Sequence, residues 1–352
     1  VNLKEGFAPL VLVPYEDLIG ILSSVLMRLS VPEQDALDTA EAIVAADLRG
    51  IESHGVVRFP TYVKRIRLGI INPKPNIKVI RESRNVILID ADNGLGQVAG
   101  KLAMSMCIEK AKENDVAIAG VRNTNHIGIA GHYAMMPLRE NMIGIVLTNT
   151  AALMAPHGGC EPVLGTNPFA VAIPAGREIP IVLDMSTSVV SRGKIEESLR
   201  KGEKIPFGWA VDNEGNHTDD PEKALEGALL PLGGAKGYGM SIVIDIISGL
   251  LTGSSYGKDI KSMFLDFTKP MGVGNFMVAI KVESFMPVDE FKEKVDGYIK
   301  MIKGSKRAKG VDEILLPGER SYRTMCKRLK EGVPLGEGAL RALEEAKKLV
   351  GM

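Results

Sequence analysis

"IDADNGLGQVAGKLA", residues 89–103, is the stretch whose reading decides the fold. An apolar run, Val86 to Ile89, leads into Asp90, Asp92 and Asn93, and a glycine-punctuated turn then enters a helical pattern. Strand, glycine turn and helix in that order open a dinucleotide-binding βαβ unit, whose fingerprint sets its third glycine three positions after the second. Here Gly100 follows Gly96 by four, so the spacing misses. The stretch therefore predicts a tight strand-to-helix turn at Gly94 and Gly96 and argues against a Rossmann phosphate loop.

Working outward, the short apolar runs "VILID", "VAIAGV", "IGIVLTN", "PFAVAIP" and "IPIVLDMS" read as strands. Helix-length segments separate only some of them, chiefly residues 98–114 and 130–140. After about residue 143 strands follow one another through Gly/Pro-rich turns, which predicts a mixed, largely antiparallel sheet. Towards the N-terminus, Leu18, Ile21, Leu22, Val25 and Leu29 form one helical face, and Ala36, Ala40, Ile43 and Val44 another. "NPKP" marks a boundary. "YGMSIVIDIISGLLTG" reads as a buried helix, since Asp245 interrupts it and it falls short of a membrane span. Towards the other end, "VDEFKEKVDGYIKMIK" is amphipathic through Phe291, Val295, Ile299 and Ile302, and "EGALRALEEAKKLV" closes the chain as a surface helix. The expected class is α+β, or mixed α/β, and not a Rossmann fold. Residues 1–75 form an N-terminal helical part, 76–285 a central sheet domain, and 286–352 C-terminal helices that pack with the N-terminal part.

The 352 residues carry 43 basic and 43 acidic side chains, a balance that argues against nucleic acid or an anionic membrane as partner. Three cysteines, Cys107, Cys160 and Cys326, form no even disulfide framework, and no basic region precedes an apolar core at the start. A cytoplasmic protein is expected. Two glutamines beside abundant Lys, Glu and Ile lean towards a thermophile.

Of five histidines, His54, His126 and His157 lie in Gly/Ser/Asn-rich surroundings where functional groups concentrate. "SHGVVRF" sets Ser53 beside His54 and Arg58 four residues on, so on a helix Arg58 shares a face with His54. A fork-shaped cation next to a proton-carrying imidazole suits a 2-oxo or 2-hydroxy acid: the arginine grips the carboxylate and the histidine exchanges a proton with the C2 oxygen. The plainer alternative makes Ser53 a helix cap and Arg58 half of a surface ion pair. "VLDMSTS" ends a strand with Asp184 and three hydroxyls, and "GGAKGYG" sets Lys236 among glycines that let backbone approach a ligand. Metal-ligand spacing, a G-x-S-x-G elbow and a P-loop are absent, so no metal is expected.

"ESHGVVRFPTYVKRIRLG", "NTNHIGIAGHYA", "TNTAALMAPHGG", "GTNPFAVAIPA", "VLDMSTS", "GALLPLGGAKGYG" and "LPGER" occur in this order. Together they resemble the non-Rossmann malate/L-lactate dehydrogenase family over roughly residues 10–340. The resemblance implies hydride transfer between a 2-oxo and a 2-hydroxy acid with NAD or NADP, in a homodimer whose central domain binds the dinucleotide. Malate/oxaloacetate is the first expectation, L-sulfolactate or L-lactate the alternative. Residue by residue, it implies proton transfer by Ser53 and His54, with His126 at the same site as the competing acid/base. Arg58 would hold the carboxylate, and Thr150 and Thr166 would line the cleft, Thr150 towards the cofactor and Thr166 towards the substrate. Asp184, Met185 and Ser186 would lie along the cofactor, Asp184 completing a relay with Ser53 and His54. Lys236, Gly318 and Glu319 match further cofactor contacts. Ala235 departs from relatives that carry a histidine there. A glycine turn at 94–96 near the substrate cleft completes this picture. The competing classes are a histidine-based metal-dependent hydrolase or lyase and a non-catalytic binding protein.

Overall fold

The computed structural model describes residues 10–352; the leader reading of the first nine lies outside the described residues. In chain order come β1 (Val11–Val13), α1 (Tyr15–Arg28), α2 (Glu33–Leu48), α3 (Phe59–Arg67), β2 (Lys78–Glu82), β3 (Val86–Asp90) and α4 (Gly96–Asn114). Then follow β4 (Val116–Thr124), α5 (Ala130–Ala134), β5 (Met142–Thr148), β6 (Phe169–Ile173), β7 (Ile181–Met185), α6 (Arg192–Lys201), β8 (Ala210–Val211) and α7 (Pro221–Glu226). The remainder is β9 (Ala228–Leu229), α8 (Ala235–Asp245), β10 (Val273–Lys281), α9 (Val288–Lys303), α10 (Glu319–Glu331), β11 (Val333–Leu335) and α11 (Glu337–Leu349).

Contacts divide the chain into a helical unit, the described part of Val1–Lys74 with Arg320–Met352, and a sheet unit, Pro75–Glu319. The second boundary thus falls at 319/320 and not at 285/286. The reason is visible on α9, where Asp296 accepts the backbone N–H groups of Gly176, Arg177 and Glu178 at 2.9, 2.7 and 3.2 Å. That anchor keeps the helix with the sheet unit.

In the helical unit, α1 buries Leu18, Leu22, Val25 and Leu26, and α2 buries Ala36, Ala40, Ile43 and Val44, as their spacing requires. The C-terminal α11 packs on α3, and β11 pairs antiparallel with β1.

The sheet unit is built on a seven-stranded sheet in the order β2-β3-β4-β10-β5-β6-β7. Its pairs are antiparallel except β3–β4, which α4 bridges. Small side chains on both faces let helices settle close to the strands: Ala99, Ala103 and Ala111 of α4 meet a sheet face carrying Ala117, Ala119, Ala170, Ala172 and Ala279. Cys107 lies in this layer, where burial pushes its thiol up to about 12 and leaves it chemically inert.

The sequence reading of α8 and its π-helical continuation Ile246–Leu250 as wholly buried needs correction. Ile244 and Asp245 face inward, but Val243, Ile246, Leu250 and Leu251 are 53, 47, 50 and 67 % exposed. A helix apolar all round has two faces, and the sheet unit covers one of them.

Gly96 explains the opening stretch. A Cβ there would stand 2.3 Å from the Asn125 carbonyl oxygen and 2.5 Å from that of His126. Asn125 returns the contact by donating its side-chain amide to the carbonyls of Asn93 and Gly94, at 3.0 and 2.9 Å. The glycine turn is therefore a seat for the segment that carries His126. Gly96→Ala is expected to destabilise the protein by about 3 kcal/mol, because two backbone carbonyls have nowhere to go. Denaturant unfolding of the variant measures this, and an unchanged midpoint would contradict the seating.

Candidate active site

Residues 52–58 form two short 3-10 turns, Glu52–His54 and Val56–Arg58, broken at Gly55. They are not the continuous helix on which His54 and Arg58 were expected to share a face. Arg58 instead reaches back, its Nε donating to the Ser53 carbonyl at 2.6 Å, while the Ser53 hydroxyl and His54 Nδ1 stand 2.9 Å apart. The three expected residues come together by a tighter route. Burial and then the Arg58 guanidinium push the His54 imidazole down to about 4, so at neutral pH the ring is uncharged. The proton-carrying imidazole expected here is therefore a ring without its second proton at rest.

The turn is held from below by a residue the sequence reading passed over. Asp47, at the end of α2 and 2 % exposed, accepts the Val56 N–H at 2.8 Å. Gly55 lies directly on the carboxylate, since a Cβ there would come within 2.0–2.3 Å of its atoms. Arg328 of α10 donates to the Asp47 backbone carbonyl and, at 2.6 Å, to Glu52. "ADLRGIESHG" places a carboxylate one short loop before the histidine, which is the only signal the sequence offered.

In the sheet unit the remaining residues converge by topology. β4 and β5 both run antiparallel to β10, so they end at the same edge, and the register Leu147–Phe169–Met185 brings the start of β6 and the end of β7 there too. His126 follows β4, Thr150 follows β5, Thr166 precedes β6, and Asp184, Met185 and Ser186 close β7. His126 Nδ1 accepts the Gly128 N–H at 3.2 Å, which assigns the proton of the neutral ring to Nε2. Asp184 accepts the Gly131 N–H at 2.8 Å, so its carboxylate orients the turn just beyond His126. The Thr166 N–H donates to the Thr150 hydroxyl at 3.0 Å, and Asn167, fully buried, accepts the Thr150 N–H and donates to Ser241. Asn167 is a second residue the motif reading missed. The Ser186 hydroxyl lies 3.1 Å from that of Ser188.

Lys236 is exposed in the first turn of α8, behind Gly233 and Gly234, whose φ values of 58° and 63° suit glycine. No side chain caps this helix start. An uncapped, glycine-lined helix start with a cation beside it has the chemistry an anionic phosphate requires. Gly318, at φ 82°, packs on β7, where a Cβ would stand 2.6 Å from the Val182 carbonyl oxygen. The Glu319 carboxylate pairs with Lys303 at 2.6 Å and accepts the Leu316 N–H at 3.0 Å, so it braces its own loop. Among the described residues no group of three or more His, Cys, Asp or Glu side chains is arranged to hold a metal ion. No helix among them is long and apolar enough to cross a membrane.

A family model described as malate/L-lactate dehydrogenase matches residues 13–344. Malate dehydrogenase of Pyrococcus horikoshii is 46% identical over 348 residues, which are 97% of this chain and 96% of that protein. The solved structure of sulfolactate dehydrogenase from Methanocaldococcus jannaschii superimposes with a TM-score of 0.91 at 44% identity, covering 97% of this chain and 98% of that one. More distant relatives differ in the cofactor their names carry. Ureidoglycolate dehydrogenase (NAD(+)) of Escherichia coli is 32% identical over 91% of each chain, and (2R)-3-sulfolactate dehydrogenase (NADP(+)) of Chromohalobacter salexigens is 33% identical over 84% and 86%.

Proposed function

Because this chain belongs to the malate/L-lactate dehydrogenase family, we propose that it interconverts a 2-oxo acid and its 2-hydroxy acid by hydride transfer with NAD or NADP, malate and oxaloacetate being the preferred pair. The observation that carries the reading is the Ser53–His54–Arg58 turn, where a guanidinium fork and an uncharged imidazole are set side by side. Malate and sulfolactate, the substrates named for the relatives, share a second anionic group on C3. A dianionic acid is accordingly favoured over lactate.

Arg58 grips the C1 carboxylate through paired N–H donors and so fixes the C2 oxygen relative to His54. In oxidation His54, uncharged, accepts the hydroxyl proton; with Nδ1–H donating to Ser53 Oγ, the ring lone pair lies on Nε2. In reduction the same histidine must first gain a proton. The substrate carboxylate helps by cancelling the Arg58 charge that holds the imidazole down. A bound nicotinamide supplies or accepts the hydride. In the sheet unit, Lys236 with the Gly233–Gly234 turn would hold phosphate, while Asp184, Met185, Ser186, Thr150, Gly318 and Glu319 would line or brace the cofactor's place. Thr166 would line the substrate end of the cleft, and His126 would donate a hydrogen bond through Nε2–H.

The exposed face Val243, Ile246, Leu250 and Leu251 supports a homodimer, because a single chain leaves this apolar stripe in water. Light scattering of the purified chain reads the mass directly.

The function is tested by assaying oxaloacetate, sulfopyruvate and pyruvate with NADH and with NADPH. Turnover of oxaloacetate or sulfopyruvate well above pyruvate is expected with at least one cofactor. Consumption of neither cofactor with any acid would overturn the reading.

A further inference from the structure

We propose that Asp47 is a positioning residue for the substrate-binding turn: its buried carboxylate ties down residues 53–58 through the Val56 N–H, and does so fully only while ionised. The proposal rests on the reading that Arg58 and His54 handle the substrate.

Three observations carry it. The first is the bond itself, 2.8 Å from the Val56 nitrogen to Asp47 Oδ2, two residues from both His54 and Arg58. The second is the fit of Gly55 against the carboxylate, so close that a methyl group would overlap Oδ1. A protonated Oδ1 would carry a donor hydrogen facing this packed backbone, so the turn would have to move to accommodate it. The third is the clamp: Arg328 engages the Asp47 carbonyl and the Glu52 carboxylate together, fixing both ends of the segment that leads to Ser53.

The charged groups facing Asp47 are Glu52 in the turn and Arg328 on α10. Burial pushes the carboxyl up to about 7, with Glu52 acting in the same direction, while the Val56 N–H and Arg328 pull it down. A carboxylate balanced there changes state within the physiological range. His54 changes state near 4, so the two ionisations are separable.

The test uses the full-length protein with Asp47→Asn and Asp47→Ala. Asparagine keeps an acceptor for the Val56 N–H but cannot titrate; alanine removes the acceptor. In wild type, kcat/KM for 2-hydroxy acid oxidation is expected to fall as pH drops below about 7. Asp47→Asn, whose amide hydrogens stand where the protonated acid carries its own, should lose that limb and hold across the range the lowered kcat/KM that wild type shows at acid pH. Asp47→Ala should lose about 30-fold or more in kcat/KM at pH 8, mostly as raised KM for the acid, with reduced-cofactor affinity unchanged. An acid limb near pH 7 retained in Asp47→Asn would overturn the proposal.

Hydrogen–deuterium exchange at the Val56 amide decides the matter without turnover. Its rate should rise tenfold or more in Asp47→Ala and by a smaller factor in Asp47→Asn, which keeps the acceptor but sets a donor against Gly55. A rate in Asp47→Ala within twofold of wild type would refute the tie. If wild type oxidises no 2-hydroxy acid, the functional reading fails while the exchange experiment still judges Asp47. If Asp47→Ala does not fold, the pH profile of Asp47→Asn judges it alone.

Discussion

Arg58→Lys is expected to lower kcat/KM for the 2-oxo acid by about 10²- to 10³-fold, chiefly through KM, with reduced-cofactor affinity unchanged. Two losses combine. An ammonium is a point charge that cannot reproduce the two parallel N–H donors a carboxylate accepts. Truncating one partner of such a charge pair costs about 2–5 kcal/mol. Lysine also lacks Nε, so the 2.6 Å bond to the Ser53 carbonyl that folds the side chain back over the turn disappears. Arg58→Ala should be at least as damaging, and in both variants KM should respond far more than the Kd for NADH or NADPH. Unchanged KM and kcat in Arg58→Lys would remove Arg58 from the substrate site.

The second large effect is expected for His54→Ala, a fall of about 10³-fold in kcat in both directions, within the range that positioned proton transfer contributes. Its pH signature follows from the sign of the shift. The imidazole is pushed down to about 4, so the protonated form needed for reduction is scarce at neutrality and scarcer as pH rises. In wild type, kcat/KM for reduction should therefore fall tenfold per pH unit above about 7. Oxidation, which needs the uncharged ring, should stay flat over the same range. His126→Ala is expected to cost less, because its Nδ1 accepts the Gly128 N–H and protonating that nitrogen would forfeit the bond. Near-normal turnover in His54→Ala with none in His126→Ala would reverse the assignment.

The strands were legible because apolar runs bounded by glycine and proline leave little alternative, and "VILID", "VAIAGV" and "IGIVLTN" all lie in strands of the central sheet. The failure of the 94–96–100 glycine spacing correctly ruled out a Rossmann loop. The purpose of those glycines was not legible, because Gly96 is small for the sake of two carbonyls some thirty residues on. The helix assumed for 53–58 failed because Gly55 must bend over a carboxylate on the preceding helix, a contact invisible in local periodicity. The convergence of His126, Thr150, Thr166 and Asp184 likewise depends on β10 inserting between β4 and β5, a pairing set by residues about 125–165 positions downstream of their partners. Asn167 and Asp47 stayed hidden for the same reason: each acts through backbone N–H groups of another segment, which no side-chain motif records.

The most direct measurement is the fate of a label. The protein is incubated with a 2-oxo acid and reduced cofactor carrying deuterium at the transferable C4 position, and the product is analysed by mass spectrometry. One deuterium at C2 of the 2-hydroxy acid is the expected result, with one equivalent of cofactor oxidised. A 2-hydroxy acid formed without deuterium at C2, or no cofactor oxidised with any acid tried, would contradict hydride transfer by this chain.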